Sequence, residues 1–323
     1  MDKKESLLLK GVAICIMLFF HLFSIRNSHI YDNTIWLTIA RANNPVPFYL
    51  ILSGYGLNVV IKKQGDDLNK YSRLAKLFIR YWIILSVFCL LSAVLDDNRM
   101  VFSIENIFYN IFAIKTSFNQ ECWFILPYIL LMLSAPFLFK LLDKTNVYIG
   151  LGGCYLIYMA SAYMNRYTFF QANVFQYFYL LFPFVIGRTM SKYDWINKVK
   201  NIFNQYAWYV PYLLITLIVV IRCYFYTGAV ITFYAAAVIM LFLTLKRPKA
   251  LDKVLSVLGK HSTNMWMIHT WFCYYLFSNF IYGFEYPPII FLVLIIVSVA
   301  TSYILDFLIN PITTLIVKHK NNK

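Results

Sequence analysis

The chain has 323 residues, of which 61% are apolar and only 13% charged, whereas soluble domains run about 45–50% apolar and ~25% charged. That contrast excludes an ordinary soluble protein and a disordered chain. The net charge of +15 would suit a nucleic-acid binder, but in so apolar a chain the basic residues are first read against a bilayer.

Ten apolar runs follow in order: Leu7–Ile25, Pro45–Ile61, Leu77–Leu95, Trp123–Leu142, Val147–Tyr163, Phe175–Met190, Ala207–Tyr226, Ala229–Leu245, Val254–Ile281 and Pro287–Val317. Most match the ~20 residues that cross a ~30 Å hydrocarbon core. The second and fifth are short, and the last two are long enough to tilt or to extend past the membrane. Val101–Ile114 is too short to span and reads as interfacial or re-entrant. With a cytoplasmic N-terminus and strict alternation, the 29 lysines and arginines divide 23 inside to 6 outside. The outside six are Arg26, Arg41, Arg99, Lys115, Arg166 and Arg222. This asymmetry follows the positive-inside rule and accounts for the net charge without nucleic acid. The expected fold is an all-α polytopic membrane protein of about ten transmembrane helices, both termini cytoplasmic, forming one domain over residues 1–323. Alternation holds only if the first span stays attached, so it is read as a span and not as a cleaved signal peptide. The six cysteines have no C-x-x-C or zinc-type spacing, and neither metal nor disulfide chemistry is expected.

Ionisable residues inside spans are costly and are functional candidates by default. His21 lies deep in the first span, and Lys10 precedes it by eleven positions. Eleven residues make close to three helical turns, so both share one face ~16 Å apart. Imidazole is the side chain best suited to proton transfer near neutral pH; a packing role for His21 and simple snorkelling for Lys10 are the alternatives. Ser53-Gly54-Tyr55-Gly56 in the second span suits either a pocket wall or close helix packing. Arg73, Lys76 and Arg80 form a basic face at the cytoplasmic start of the third span, suited to phosphates or to anionic lipid. His269 lies nine residues after Lys260 in an unusually polar span. Asp306, near the cytoplasmic end of the last span, is expected to pair with a basic residue. Asn119, Gln120, Glu121 and Trp123 crowd the outer start of the fourth span, as a mouth for a sugar-like acceptor or as an interfacial belt. There is no Walker A loop, no G-x-S-x-G elbow and no H-E-x-x-H, so nothing points to nucleotide hydrolysis or zinc.

This constellation resembles the acyltransferase-3 family of membrane proteins. Lys10-GVAICIMLFF-His21 is similar to that family's basic-x10-His element. PFYLILSGYGL, RLAKLFIRYW, CWFILPYILLMLSAP, FVIGR (Phe184–Arg188) and LGKHSTNMWMIH (Leu258–His269) resemble its further segments, in family order over nearly the whole chain. Two departures stand out: Arg-x-x-Arg appears as Arg73-x-x-Lys76, which loses one bidentate fork, and the first-span basic residue is Lys. No hydrolase-like domain is appended, so delivery of the acyl group unaided or to a separate partner is expected.

The resemblance implies an integral-membrane O-acyltransferase that moves an acetyl group from cytoplasmic acetyl-CoA or another acyl-CoA to a hydroxyl of a surface or exopolysaccharide glycan. His21 is the catalytic candidate, as base or as nucleophile. Lys10, Arg73, Lys76 and Arg80 are donor-binding candidates; Ser53, Tyr55, Glu121, Trp123 and His269 are pocket or acceptor candidates. Acyl-CoA enters as co-substrate, with no bound cofactor and no metal. The partners implied are the glycan acceptor and the lipid bilayer, with room for a membrane homo-oligomer and none for nucleic acid. The location implied is a bacterial inner membrane. The competing class is a transporter or flippase for a lipid-linked glycan, which favours internal repeats and interrupted helices; no repeat is found.

Overall fold

A computed structural model describes residues 1–24, 34–65, 70–95, 99–165, 173–225 and 227–321. Arg26, Arg166 and Lys323, and the run ends Ile25 and Tyr226, lie outside the described residues. Lys70, Lys318 and Lys320 are described by backbone alone. The described residues form helices and no strand.

Fourteen α-helices are present among them: α1 Lys3–Ser24, α2 Ile35–Ala42, α3 Val46–Gln64, α4 Lys70–Val94, α5 Ile104–Ile111, α6 Ile125–Lys144, α7 Val147–Met164, α8 Asn173–Lys192, α9 Trp195–Phe203, α10 Val210–Tyr224, α11 Ile231–Phe242, α12 Lys249–Thr270, α13 Ser278–Tyr282 and α14 Pro287–Asn321. Local sequence explains several starts. The Glu5 amide donates to Asp2 Oδ1 (2.7 Å) and the Asp2 amide to Glu5 Oε2 (2.9 Å), a reciprocal capping box that opens α1. Thr34, Ser103 and Asn146 accept from amides of the first turns of α2, α5 and α7, satisfying donors that a helix leaves open.

Five stretches among the described residues are long and apolar enough to cross a membrane: Lys3–Ser24, Tyr71–Val94, Gln120–Lys144, Val147–Met164 and Pro287–Thr314. Val210–Tyr224 and Gly228–Phe242 are apolar but shorter. The other long runs fall on helices whose polar content or length differs from the sequence expectation. The ninth run is not one helix: α12 ends at Thr270, a π-helical turn covers Trp271–Tyr275, and α13 follows. Val101–Ile114 holds only the eight-residue α5. Large apolar side chains point outward, including Leu156 on α7 and Ile304 and Phe307 on α14, which suits a lipid environment and not water.

The chain divides into two compact units, each made of two segments: residues 1–68 with 130–260, and residues 69–129 with 261–323. In the first unit α3 packs along α8, α8 against α7, and α1 against α2 and α3. The α3–α8 contact is closed by reciprocal glycines. A Cβ on Gly54 would collide with the Phe184 carbonyl, and one on Gly187 with the Ile51 carbonyl, so the two backbones touch where small residues permit it. Gly11 on α1 and Gly259 on α12 repeat the device against Leu255 and Leu7. In the second unit α4 packs against α14.

Candidate functional site

In the first unit, α1 carries His21 near its C-terminal end, buried with 6% of its surface exposed. Its ring meets Phe20 edge-on at 5.4 Å. Lys10 is exposed and shares the helix face of His21 by periodicity. Ser53 is half-buried and Tyr55 buried on α3. The Tyr55 hydroxyl accepts from the Met1 ammonium at 2.9 Å. This places it at the opposite end of α1, roughly 27 Å from His21 by helical rise.

Phe20 and Ser24 of α1, the first next to His21 in sequence and the second one turn on, open onto a cavity of about 360 Å³ whose lining does not include His21 itself. Arg41, Asn44, Tyr179, Arg222, Gly228 and Ile231 complete its lining. Arg222 is 4% exposed. Its Nε donates to the Ala42 carbonyl (3.2 Å) and its Nη1 to the carbonyls of Phe225 (2.9 Å) and Thr227 (2.8 Å). These bonds tie the end of α10 to the end of α2 and hold the guanidinium in one orientation. Tyr179 stacks on Tyr158 at 5.0 Å, and Tyr158 donates to the Gly228 carbonyl at 2.7 Å, which stiffens that wall. The volume lies within the ~300–1,000 Å³ usual for small-molecule sites.

In the second unit, Arg73 and Lys76 on α4 are exposed. Arg80, one turn deeper, is bound from inside. Its Nη1 donates to Asp306 Oδ1 at 3.1 Å and to Asn264 Oδ1. Asn264 Nδ2 reaches Ser302 Oγ (2.9 Å) and Asp306 Oδ1 (3.0 Å), while His261 Nδ1 lies 3.0 Å from Ser302 Oγ and 3.1 Å from Asp306 Oδ2. Asp306 thus pairs with a basic residue, and part of Arg80's donor capacity is committed to a network joining α4, α12 and α14.

The remaining sequence candidates gather at the end of α12. Asn119 Nδ2 donates to the Met267 carbonyl (2.8 Å) and its Oδ1 accepts from Thr270 (3.0 Å). Trp266 Nε1 donates to the Glu121 carbonyl at 3.3 Å. The 3₁₀ turn Gln120–Phe124, which carries Glu121 and Trp123, is therefore fastened to the segment that carries His269. His269 is fully buried, with Nδ1 near the carbonyls of Met265 (3.1 Å) and Trp266 (2.7 Å) of its own helix. The π turn follows at once; the Leu276 amide bonds the Trp271 carbonyl at 2.9 Å. It stacks Trp271 on Phe88 at 5.1 Å and brings Tyr275 under Arg99 at 3.9 Å. Such turns recur at functional sites.

Sequence reading counted Arg41 and Arg222 only as outside charges and passed over Asn44 and Tyr179. One signal was available for Arg222: a charged residue four positions before the end of the apolar run Ala207–Tyr226. Arg188 of the FVIGR segment is 2% exposed and pairs with Asp143, which Lys192 also contacts; that cluster is structural. Among the described residues no group of three or more His, Cys, Asp or Glu could hold a metal ion.

A family model described as an acyltransferase domain, that of the acyltransferase-3 family, matches residues 7–307. No curated protein and no solved structure matches the chain.

Proposed function

Since the chain belongs to the acyltransferase-3 family, and is therefore a membrane acyltransferase, we propose that it transfers an acetyl group from acetyl-CoA to a hydroxyl of a cell-surface or exopolysaccharide glycan. The observation that carries this reading is His21, a buried imidazole on α1 whose sequence neighbour Phe20 and whose next-turn neighbour Ser24 line a cavity with several polar groups. The acceptor hydroxyl gives its proton to His21 as its oxygen attacks the thioester carbonyl. A C–O bond forms, the C–S bond breaks, and the proton passes on to the departing CoA thiolate. The glycan enters at the cavity, where Tyr179, Asn44 and Ser24 offer hydrogen bonds to sugar hydroxyls.

Lys10, Arg73, Lys76 and Arg80 are the donor-binding residues of this proposal. Arg73 and Lys76 carry most of the attraction to CoA phosphates, because Arg80 is already engaged by Asp306; Lys10, ~16 Å from His21 along α1, holds a phosphate or the arm that leads to the thioester. Glu121, Trp123 and His269 shape a second polar mouth, and Ser53 and Tyr55 line α3. The arrangement in the membrane is about ten spans with both termini cytoplasmic, as the 23-to-6 division of basic residues supports, and the family resemblance points to a bacterial inner membrane.

The test is NMR of surface polysaccharide purified from wild type, a deletion strain and His21→Ala at equal expression. Loss of O-acetyl signals in both altered strains is the expected result. Full acetylation in the deletion strain rejects the proposal; failure of the polymer to reach the surface at all moves the flippase reading forward.

A further inference from the structure

The cavity beside His21 holds a charge imbalance that acetyl transfer alone does not require. Arg41 and Arg222 both line it, and its described lining includes no acidic residue. Neither arginine forms an ion pair with a described residue. A buried guanidinium is costly unless charge or hydrogen bonds compensate it. At Arg222 three backbone carbonyls take Nε and Nη1. These bonds supply dipoles but no counter-charge. Arg41 is exposed at the rim.

The geometry points to an oxyanion site: this cavity binds a carboxylate or phosphate, held between the oriented guanidinium of Arg222 and the exposed one of Arg41. Guanidinium offers the fork geometry that such planar or tetrahedral oxyanions accept. The inference rests on the transferase reading above and adds to it the class of acceptor, a glycan bearing an acidic substituent. With the anion at Arg222, the sugar lies against Tyr179 and Asn44. Ser24, one turn from His21 on α1, then marks where the acceptor hydroxyl meets the proton-handling turn. Arg222 and Arg41 are positioning residues in this scheme. The same oxyanion chemistry is also offered by a phospholipid headgroup, and the experiment separates the two sources.

Purified full-length protein is titrated with methyl β-D-glucuronide and with its neutral counterpart, methyl β-D-glucoside, and binding is followed by ligand-observed NMR. The glucuronide is expected to bind at least about tenfold more tightly, the scale of one charge-assisted hydrogen bond. Arg222→Gln and Arg41→Gln should each remove that preference. Because Arg222 also fastens two helix ends, Arg41→Gln, whose side chain is exposed and forms no ion pair with a described residue, keeps the test valid where Arg222→Gln does not fold. A parallel arm places both proteins in nanodiscs of phosphatidylglycerol or phosphatidylcholine. Glucuronide binding that is equal in the two lipids identifies the glycan as the source. Displacement by phosphatidylglycerol, with lipid retention lost in Arg41→Gln, identifies a headgroup and leaves the site standing. Equal or absent binding of both glycosides, with no arginine-dependent retention of phosphatidylglycerol, overturns the inference. None of these readouts uses acetyl-CoA or His21. A dead His21→Ala enzyme with no anion preference therefore rejects this inference alone, and an anion preference in a protein that still acetylates after His21→Ala rejects only the assigned role of His21.

Discussion

Replacing Gly54 and Gly56 by alanine, one at a time, should shift stability in opposite directions although the two lie in the same motif and the same helix. A Cβ on Gly54 would overlap the Phe184 carbonyl and stand 3.2 Å from the Arg188 amide, whereas one on Gly56 meets nothing within 4 Å. Backbone cannot step aside as a side chain can, so α3 and α8 must part. Overpacking of this kind costs about 1–3 kcal/mol, more than the ~0.5–1 kcal/mol alanine gains over glycine in a helix. Gly56→Ala retains that gain without the clash. Gly187→Ala should resemble Gly54→Ala, because its Cβ would meet the Ile51 carbonyl across the same crossing. Once the helices have parted for one methyl, the second meets less resistance, so the double variant should fall short of the sum by at least ~0.5 kcal/mol. Reversible unfolding in mixed micelles of increasing SDS fraction, with helicity as readout, measures all four variants. Equal destabilisation by Gly54→Ala and Gly56→Ala refutes the packing argument. So does a Gly54→Ala protein of unchanged stability that has lost activity, which would make the motif chemical.

His21→Ala should lower turnover by roughly 10²–10⁴-fold, the usual worth of a general acid–base group, while acetyl-CoA still protects the protein against heat. Arg73→Gln and Lys76→Gln should each raise the KM for acetyl-CoA about three- to tenfold, or ~0.7–1.4 kcal/mol, with kcat nearly unchanged; a fall in kcat alone would place them elsewhere in the cycle. In a double-mutant cycle, Arg80→Met and Asp306→Leu should each destabilise, and the double variant should recover about 1.5–3 kcal/mol as coupling, since both side chains are mostly buried and share a charged hydrogen bond. Strict additivity in that cycle would mean that the pair contributes nothing to the fold.

The helices were largely legible because apolar runs of span length leave little choice of structure, and the common face of Lys10 and His21 follows from periodicity alone. The interruption after Thr270 was not legible. Trp271, Phe272 and Cys273 continue the apolar run of α12, and a π turn changes the hydrogen-bond register without changing composition. Close packing at Gly54 was one of the two readings of its motif, but the partner was hidden, because Gly187 lies 133 positions away. Arg80 was grouped with Arg73 and Lys76 by spacing, which is correct for the face, but depth separates them: only Arg80 reaches Asn264 and Asp306. The short amphipathic α9 carries Lys198 and Lys200, and Lys200 pairs with Glu5; its nine residues are too few to stand out from a loop.

Counter-charge is what distinguishes the buried arginines of this chain. Arg188, 2% exposed, meets Asp143, and Arg80 meets Asp306. In both, the cost of removing a guanidinium from water is offset by a carboxylate the sequence itself supplies. Arg222 is as deeply buried as Arg188 but is held by three carbonyls. Had its role been only to join α2 to α10, a neutral donor such as glutamine would make similar bonds with no charge to desolvate. Retaining the charge with no carboxylate paired to it among the described residues makes sense where the counter-charge arrives from outside, and the cavity that Arg222 lines is also lined by Ser24, one turn from His21 on α1.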